Sequence, residues 1–333
     1  MLILKQNQNK TVKENKMKRL LIFIMAMLTL SLPLNALAAG DINQTAEFCT
    51  YENKDTVLPY RLILPEGYDA EKTYPLLFFF HGAGERGNDN KLQFFHCVQY
   101  LADQLPECII VAPQCPLNNQ WVDTPWVKGA YSVDNVPESD EMKAVIELLE
   151  ELKGKYSVDT DRIYASGISM GGFGVWDVMM RHNDIFAAGI AACGGGDVSK
   201  GELLKDTPLF VFHGDADTAV PVTGSRDTVK AIKDAGGTLV EYVEYKGAGH
   251  GIWNDAFKTE GLLEKLLECK LSDRYPTEES SEPVPESETE TEAASPDAAE
   301  ESKGLSLPVI IAIIAAVAIP VAMIIFLLVI KRK

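Results

Sequence analysis

The sequence predicts an α/β fold, a mostly parallel sheet with helices on both faces. Three observations carry this. Short apolar runs alternate along the chain with segments whose apolar residues fall three and four apart. The middle runs, such as 75–80 and 187–192, are apolar at nearly every position, as strands covered on both faces are. And a serine between two glycines, in "GISMG" at 167–171, stands between one such run and one such helical segment.

In chain order, strands are expected at 60–64, 75–80, 108–112, 162–165, 187–192, 208–212 and 238–245. Helices are expected at about 91–104, 139–154, 170–181, 225–235 and 254–269. No internal repeat is visible. Residues 39–272 supply enough chain for one domain with a substantial core.

The flanking segments read as devices of location. From Met17, "MKRLLIFIMAMLTLSLPLNALAAG" has the basic start, apolar run and small-residue exit of a signal peptide. Ala36-Leu37-Ala38 offers the cleavage site, so residues 1–38 are read as an N-terminal extension and signal peptide. Met17 itself is a credible start. Residues 307–330 carry no charge and are followed at once by Lys331, Arg332 and Lys333. At ~1.5 Å per residue such a run crosses a ~30 Å hydrocarbon core, with its basic end in the cytoplasm. Residues 304–333 are therefore expected to be a C-terminal transmembrane anchor. Between body and anchor, residues 273–303 hold 11 acids and 2 bases and almost no large apolar group. Such composition predicts a disordered, extended acidic spacer. The expected location is the cell surface: a single-pass protein with its body outside, touching the membrane through the C-terminal helix only.

The whole chain has a formal charge of −17, which argues against nucleic acid or an anionic lipid surface as a partner of the body. Six cysteines lie in the body, at Cys49, Cys97, Cys108, Cys115, Cys193 and Cys269. None has a metal-binding spacing, and no metal or cofactor is expected. The sequence does not choose among the possible disulfide pairings, and buried thiols are equally compatible with it.

The serine turn is the centre of the functional reading. Gly167 and Gly171 let the backbone pass close to itself, so the Ser169 hydroxyl is raised above the carboxyl end of a central strand. The helix opening at Met170 offers free N–H groups and a positive dipole end to a developing oxyanion. Ser169 needs a base. His96 lies in a helical pattern and His182 at a helix end. His81 and His213 each end an apolar strand directly before a glycine, where they orient turns. His250 remains, in the glycine-rich "YKGAGHGIW" after the last strand. The acid that orients it is sought in "LFVFHGDADTAVPV" at 209–222, where Asp217 is preferred over Asp215, and Asp197 is a distant third. The order Ser169, Asp217, His250 is a serine–acid–histidine triad on the elements that such a triad needs. In "FFFHGAGERGNDN" at 78–90, the Ala83 N–H is expected to complete an oxyanion hole with that of Met170, with Gly84 as the fallback. Glu85 and Arg86 are either a salt-bridged turn or substrate-binding residues on the site's rim.

These segments, together with "LPYRLILPEGY", "VAPQCPLNNQW" and "GAGHGIW", resemble the secreted α/β-hydrolase esterases. Among them the chain looks most like proteins described as predicted peptidases or phospholipase/carboxylesterase-like. These are similar in turn to acetyl-xylan esterases, feruloyl esterases and polyhydroxybutyrate depolymerases. The resemblance implies an α/β-hydrolase fold and a serine esterase acting through an acyl-enzyme, with the acid at Asp217. It makes Trp121 a candidate substrate contact, with a core tryptophan as the alternative. Where many relatives carry a lid, only residues 193–207 join two core strands, so no large lid domain is expected. An open site suits a bulky, polymeric or carbohydrate-linked ester. Two alternatives stand beside this: a serine peptidase of the same fold, and a catalytically inactive surface-binding protein.

Overall fold

The structure, a computed structural model, describes residues 46–275. The signal-peptide, anchor and most of the spacer expectations fall on residues outside this range. Eight strands form one sheet: β1 (Glu47–Glu52), β2 (Val57–Ile63), β3 (Tyr74–Phe80), β4 (Ile109–Pro113), β5 (Val158–Ile168), β6 (Ala188–Ala192), β7 (Leu209–Gly214) and β8 (Val240–Tyr245). Their spatial order is β1-β2-β4-β3-β5-β6-β7-β8. β2 pairs antiparallel with both β1 and β4, and every pairing from β4 through β3 to β8 is parallel.

Among the described residues four helices lie between strands, α1 (Val98–Gln104), α2 (Asp140–Lys155), α3 (Met170–Arg181) and α4 (Thr223–Asp234), and three follow β8, α5 (Trp253–Phe257), α6 (Leu262–Glu268) and α7 (Leu271–Arg274). They divide between the two faces of the sheet, and β3 shows how. Leu76, Phe78 and Phe80 pack with α2, α3 and α4, whereas Leu77 and Phe79 pack with α1, α5 and α6. Successive strand side chains point to opposite faces, so a strand between two helical layers must be apolar throughout. That is the pattern the sequence displays.

The differences from expectation have local causes. β1 is an edge strand whose outward residues are exposed, so it carries no apolar run. β5 begins four residues before the expected start, in the polar stretch "VDTD". The helix expected at 91–104 is broken by Cys97 at φ +57°, leaving a short 3-10 turn (Leu92–Phe94) and α1. The one expected at 254–269 is interrupted by Gly261 at φ +74° and becomes α5 and α6. Packing also continues past residue 272, for Arg274 donates to the Phe186 carbonyl at 2.7 Å.

Two connections shape the site. β6 runs to β7 through residues 193–208, with only a 3-10 turn between them and no inserted domain. Residues 114–139, between β4 and α2, instead fold over the start of α3. There Val122 and Tyr131 form a small apolar cluster with Phe173 and Val220. Tyr131 Oη donates to Asp177 on α3 at 2.8 Å, Arg181 pairs with the same carboxylate, and Arg181 also donates to the Val133 and Val136 carbonyls. The segment is thus pinned to the helix that follows Ser169.

Candidate active site

Ser169 stands between β5 and α3 with φ +53° and ψ −119°, a conformation that non-glycine residues rarely adopt. The close approach around it explains the flanking glycines. A Cβ on Gly167 would lie 2.4 Å from Gly171 O, and one on Gly171 would lie 1.9 Å from Phe80 O. No side chain fits either space. The Ser169 amide is tied to Ala192 O at 2.8 Å, which anchors the turn to β6.

His250 lies between Ser169 and Asp217. Its Nε2 is 2.8 Å from Ser169 Oγ and its Nδ1 is 2.7 Å from Asp217 Oδ2. A carboxylate accepts only, so the ring proton sits on Nδ1 and Nε2 is free to accept from the serine hydroxyl. Asp217 Oδ1 accepts the amides of Ala219 and Val220, at 2.8 and 3.0 Å. Burial alone would push this carboxyl up, but the bonds from His250, Val220 and Ala219 outweigh it and hold the acid below its usual range. Asp215 is turned elsewhere: it accepts the Gly247 amide and braces the loop that carries His250. Asp197 caps a 3-10 turn and accepts from Val133, away from this relay.

Beside the serine, the end of β3 supplies the second wall. A Cβ on Gly82 would lie 3.5 Å from Ser169 Cβ, so this loop runs against the serine. Ala83 opens the 3-10 turn Ala83–Glu85 and Met170 opens α3. First-turn amides have no acceptor within their own helix, so both are available to a ligand oxygen. His81 lies beneath as a strut. It is fully buried, and its Nε2 accepts the Cys115 amide at 2.9 Å while Nδ1–H faces Gly82 O at 2.6 Å. Burial lowers its pKa to about 4, so it stays neutral.

Ser169 and His250 share their cleft with Ala83, Gly84, Glu85, Ile168, Ala219 and the side chains of His96, Trp126 and Trp253. Glu85 faces His96 across 3.5 Å. Trp253 meets the rings of both His96 and His250 edge-on, each with centroids 5.4 Å apart. One sequence expectation is corrected here. Trp121 is fully buried beneath this loop, with Nε1–H donating to His81 O at 3.1 Å. It is a core residue and meets no solvent-borne ligand. Arg86 donates to Ala83 O at 2.9 Å and Asn119 O at 3.3 Å, and its guanidinium lies 6.0 Å from the centroid of the Trp126 ring on the cleft wall. Sequence reasoning missed His96, Trp126 and Trp253. Trp253 had a signal, three residues after His250, whereas the other two come from segments without glycine-marked strand ends.

Among the described residues, one grouping brings metal-ligating atoms together: Cys193, His213 and Asp217, within 4.8 Å. Each is already committed. Asp217 holds His250, His213 contacts Val220 and Ser225, and the Cys193 thiol donates to His250 O at 3.3 Å.

Residues 68–260 match the model of the phospholipase/carboxylesterase family. The chain belongs to that family. It has the α/β-hydrolase fold, as the resemblance implied. A crystal structure of a thermostable esterase is 35% identical, with a TM-score of 0.60, covering 68% of this chain and 64% of its own. Among curated proteins, a feruloyl esterase C of Aspergillus terreus (described as probable) is 28% identical over 170 residues, 50% of this chain and 57% of that one. Dipeptidyl-peptidase 5 of Porphyromonas gingivalis is 29% identical over 137 residues, 40% of this chain and 19% of that one. The chain thus spans less than two thirds of either curated relative. No helix among the described residues is long and apolar enough to cross a membrane, and residues 307–330 lie outside that range.

Proposed function

We propose that the protein is a serine esterase that cleaves carboxylic esters through an acyl-enzyme. The hydrogen-bonded relay Ser169–His250–Asp217, 2.8 and 2.7 Å long, supports the reading. Ser169 Oγ attacks the ester carbonyl carbon while His250 Nε2 takes its proton. Asp217 holds the ring in the required tautomer and stabilises the imidazolium. The carbonyl oxygen becomes an oxyanion and accepts from the amides of Met170 and Ala83. On collapse the carbon–oxygen bond to the leaving group breaks, and His250 returns the proton to the departing alcohol. Water, deprotonated by His250, then attacks the acyl-serine, which releases the acid and restores Ser169–H.

The absence of an inserted domain between β6 and β7, and the aromatic walls of Trp126 and Trp253, favour a bulky ester, polymeric or carbohydrate-linked. We assign Glu85, which lines the cleft, the role of accepting from a hydroxyl on such a substrate. With a leader at 17–38 and an anchor at 307–330, the enzyme acts outside the cell, held at its surface. A serine peptidase of the same fold is the second reading, favoured by the similarity to dipeptidyl-peptidase 5. The deciding experiment presents the purified protein with acetylated xylan, methyl ferulate, short nitrophenyl esters and peptide anilides. Ester turnover with no anilide turnover supports the esterase. Anilide turnover alone would replace it with the peptidase, and inertness toward all four and toward a fluorophosphonate probe would leave a binding protein.

A further inference from the structure

His213 is a buried polar side chain beside the site that the mechanism above does not use. It lies on β7, four residues before Asp217, and is fully enclosed. Its Nδ1 is 2.8 Å from Ser225 Oγ. Its Nε2 is 3.1 Å from Val220 O and 3.2 Å from Asp217 Oδ2. Both of these are acceptors only. If Nε2 were bare, three electron-rich atoms would meet with no hydrogen among them. Burial disfavours the charged ring more than Val220 and Asp217 favour it, and His250 opposes the charge as well. The ring therefore carries one proton, and that proton belongs on Nε2. Nδ1 is then an acceptor, and the hydroxyl hydrogen of the buried Ser225 must point at it rather than at Gly194 O, 3.0 Å away.

We propose that His213 is a positioning residue for the catalytic acid: its Nε2–H donates to Asp217 Oδ2, the oxygen that also holds His250, and Ser225 selects the tautomer that allows it. The proposal rests on the triad reading above. With it, the carboxylate faces four donors, two at each oxygen: Ala219 and Val220 at Oδ1, His250 and His213 at Oδ2, with the His213 proton shared between Oδ2 and Val220 O. A carboxylate has about four good acceptor positions, so all are filled and the group cannot rotate without losing one. The edge it presents to His250 is thereby fixed. Without His213, the orientation of Oδ2 would rest chiefly on His250, the base that the acid is meant to orient.

Three variants test this on a soluble ester. His213→Leu keeps an apolar bulk in the pocket and removes the donor. His213→Gln places an amide N–H near the former Nε2. Ser225→Ala leaves the ring free to take either tautomer. His213→Leu is expected to lower kcat roughly tenfold, as small losses of alignment do, with KM within about twofold. Relieved of one donor, Asp217 holds the imidazolium more tightly, so the acid limb of the kcat/KM profile moves to higher pH. His213→Gln should recover most of kcat and the parent profile, and Ser225→Ala should lose less than His213→Leu in the same direction. A folded His213→Leu with the parent's kcat and pH profile would overturn the proposal, as would a His213→Gln no better than it. If His213→Leu does not fold, His213→Asn takes its place, since its shorter amide does not reach Asp217. Failure of the triad reading looks different: Asp217→Asn would then remain active, whatever His213 does.

Discussion

Gly171, beside the serine, leaves almost no room for change. A Cβ there would lie 1.9 Å from Phe80 O, 2.4 Å from Phe80 C and 2.8 Å from His81 O, all backbone atoms. Real Cβ contacts essentially never fall below 3.0 Å, so Gly171→Ala must move the start of α3 from the end of β3 by the difference, 1.1 Å. These are the two elements that carry the proposed oxyanion donors, Met170 and Ala83. Overpacking costs about 1–3 kcal/mol where neighbours can give. Here Phe80 is paired in the ladder with Gly167, so the upper end applies. At about 2–4 °C per kcal/mol for a domain of this size, Tm should fall by about 6–12 °C. A shift of about 1 Å in catalytic alignment costs on the order of a hundredfold in rate. The assay is the second-order rate of fluorophosphonate labelling, measured well below Tm beside a thermal melt. Gly154→Ala, exposed on α2 and away from the cleft, is the control, since a Cβ there meets nothing within 4 Å. A Gly171→Ala protein that melts and labels as the parent does would refute the argument, because the elbow would then be looser than its geometry requires.

Asp217→Asn should lower kcat by orders of magnitude through the wrong tautomer of His250, whereas Asp215→Asn should cost far less. Parallel kinetics check this, and reversed effects would move the acid to Asp215. Ser169→Ala should abolish fluorophosphonate labelling while leaving Tm within about 2 °C, since the serine side chain packs against little. All six cysteines are free, and burial pushes the thiols of Cys97, Cys108 and Cys193 up to about 12. Iodoacetamide at neutral pH should therefore spare these three in the native protein and modify them after unfolding, as mass spectrometry would read. His81, neutral in the fold with a pKa of about 4, takes up its proton more readily when unfolded. Stability should accordingly fall from about pH 6.5 to pH 4, by about 3 kcal/mol at this residue. His81→Gln should flatten that part of a denaturant-midpoint series against pH.

The parts of this protein that were legible in its sequence are those where backbone geometry leaves few choices. Gly167 and Gly171 announce a turn because no other residue fits, and strands such as β3 announce burial on both sides because every position is apolar. The site's walls were not legible for the opposite reason. Trp126 reaches the cleft from the connection between β4 and α2, and His96 from the turn before α1. Neither segment has a period or a spacing that ties it to Ser169. Trp121 misled because the segment that resembles a pocket-lining stretch does pass beside the site, while its tryptophan turns inward under His81. β1 escaped notice because an exposed edge strand needs no apolar face.

The five histidines show why their settings separate the roles. His81 and His213 both end strands beside the cleft, and both are fully buried with every ring nitrogen engaged. A ring so placed is held neutral in one tautomer, which suits a strut and rules out a shuttle. His182 is bound to Glu138 at 2.6 Å at the end of α3, and His96 faces Glu85. His250 and His213 each meet a hydroxyl on one nitrogen and a carboxylate on the other, but only His250 does so at the cleft. Its side chain keeps 24% exposure while Asp217 has none. That combination is what the two half-reactions of the proposed mechanism demand. The base must release its proton to a leaving group and then take one from an incoming water, so it has to border the solvent. The acid must neither titrate nor turn, so it has to be enclosed and fully bonded. The fold meets both conditions by taking the acid from the tight turn just beyond a central parallel strand and the base from the open glycine loop that follows β8.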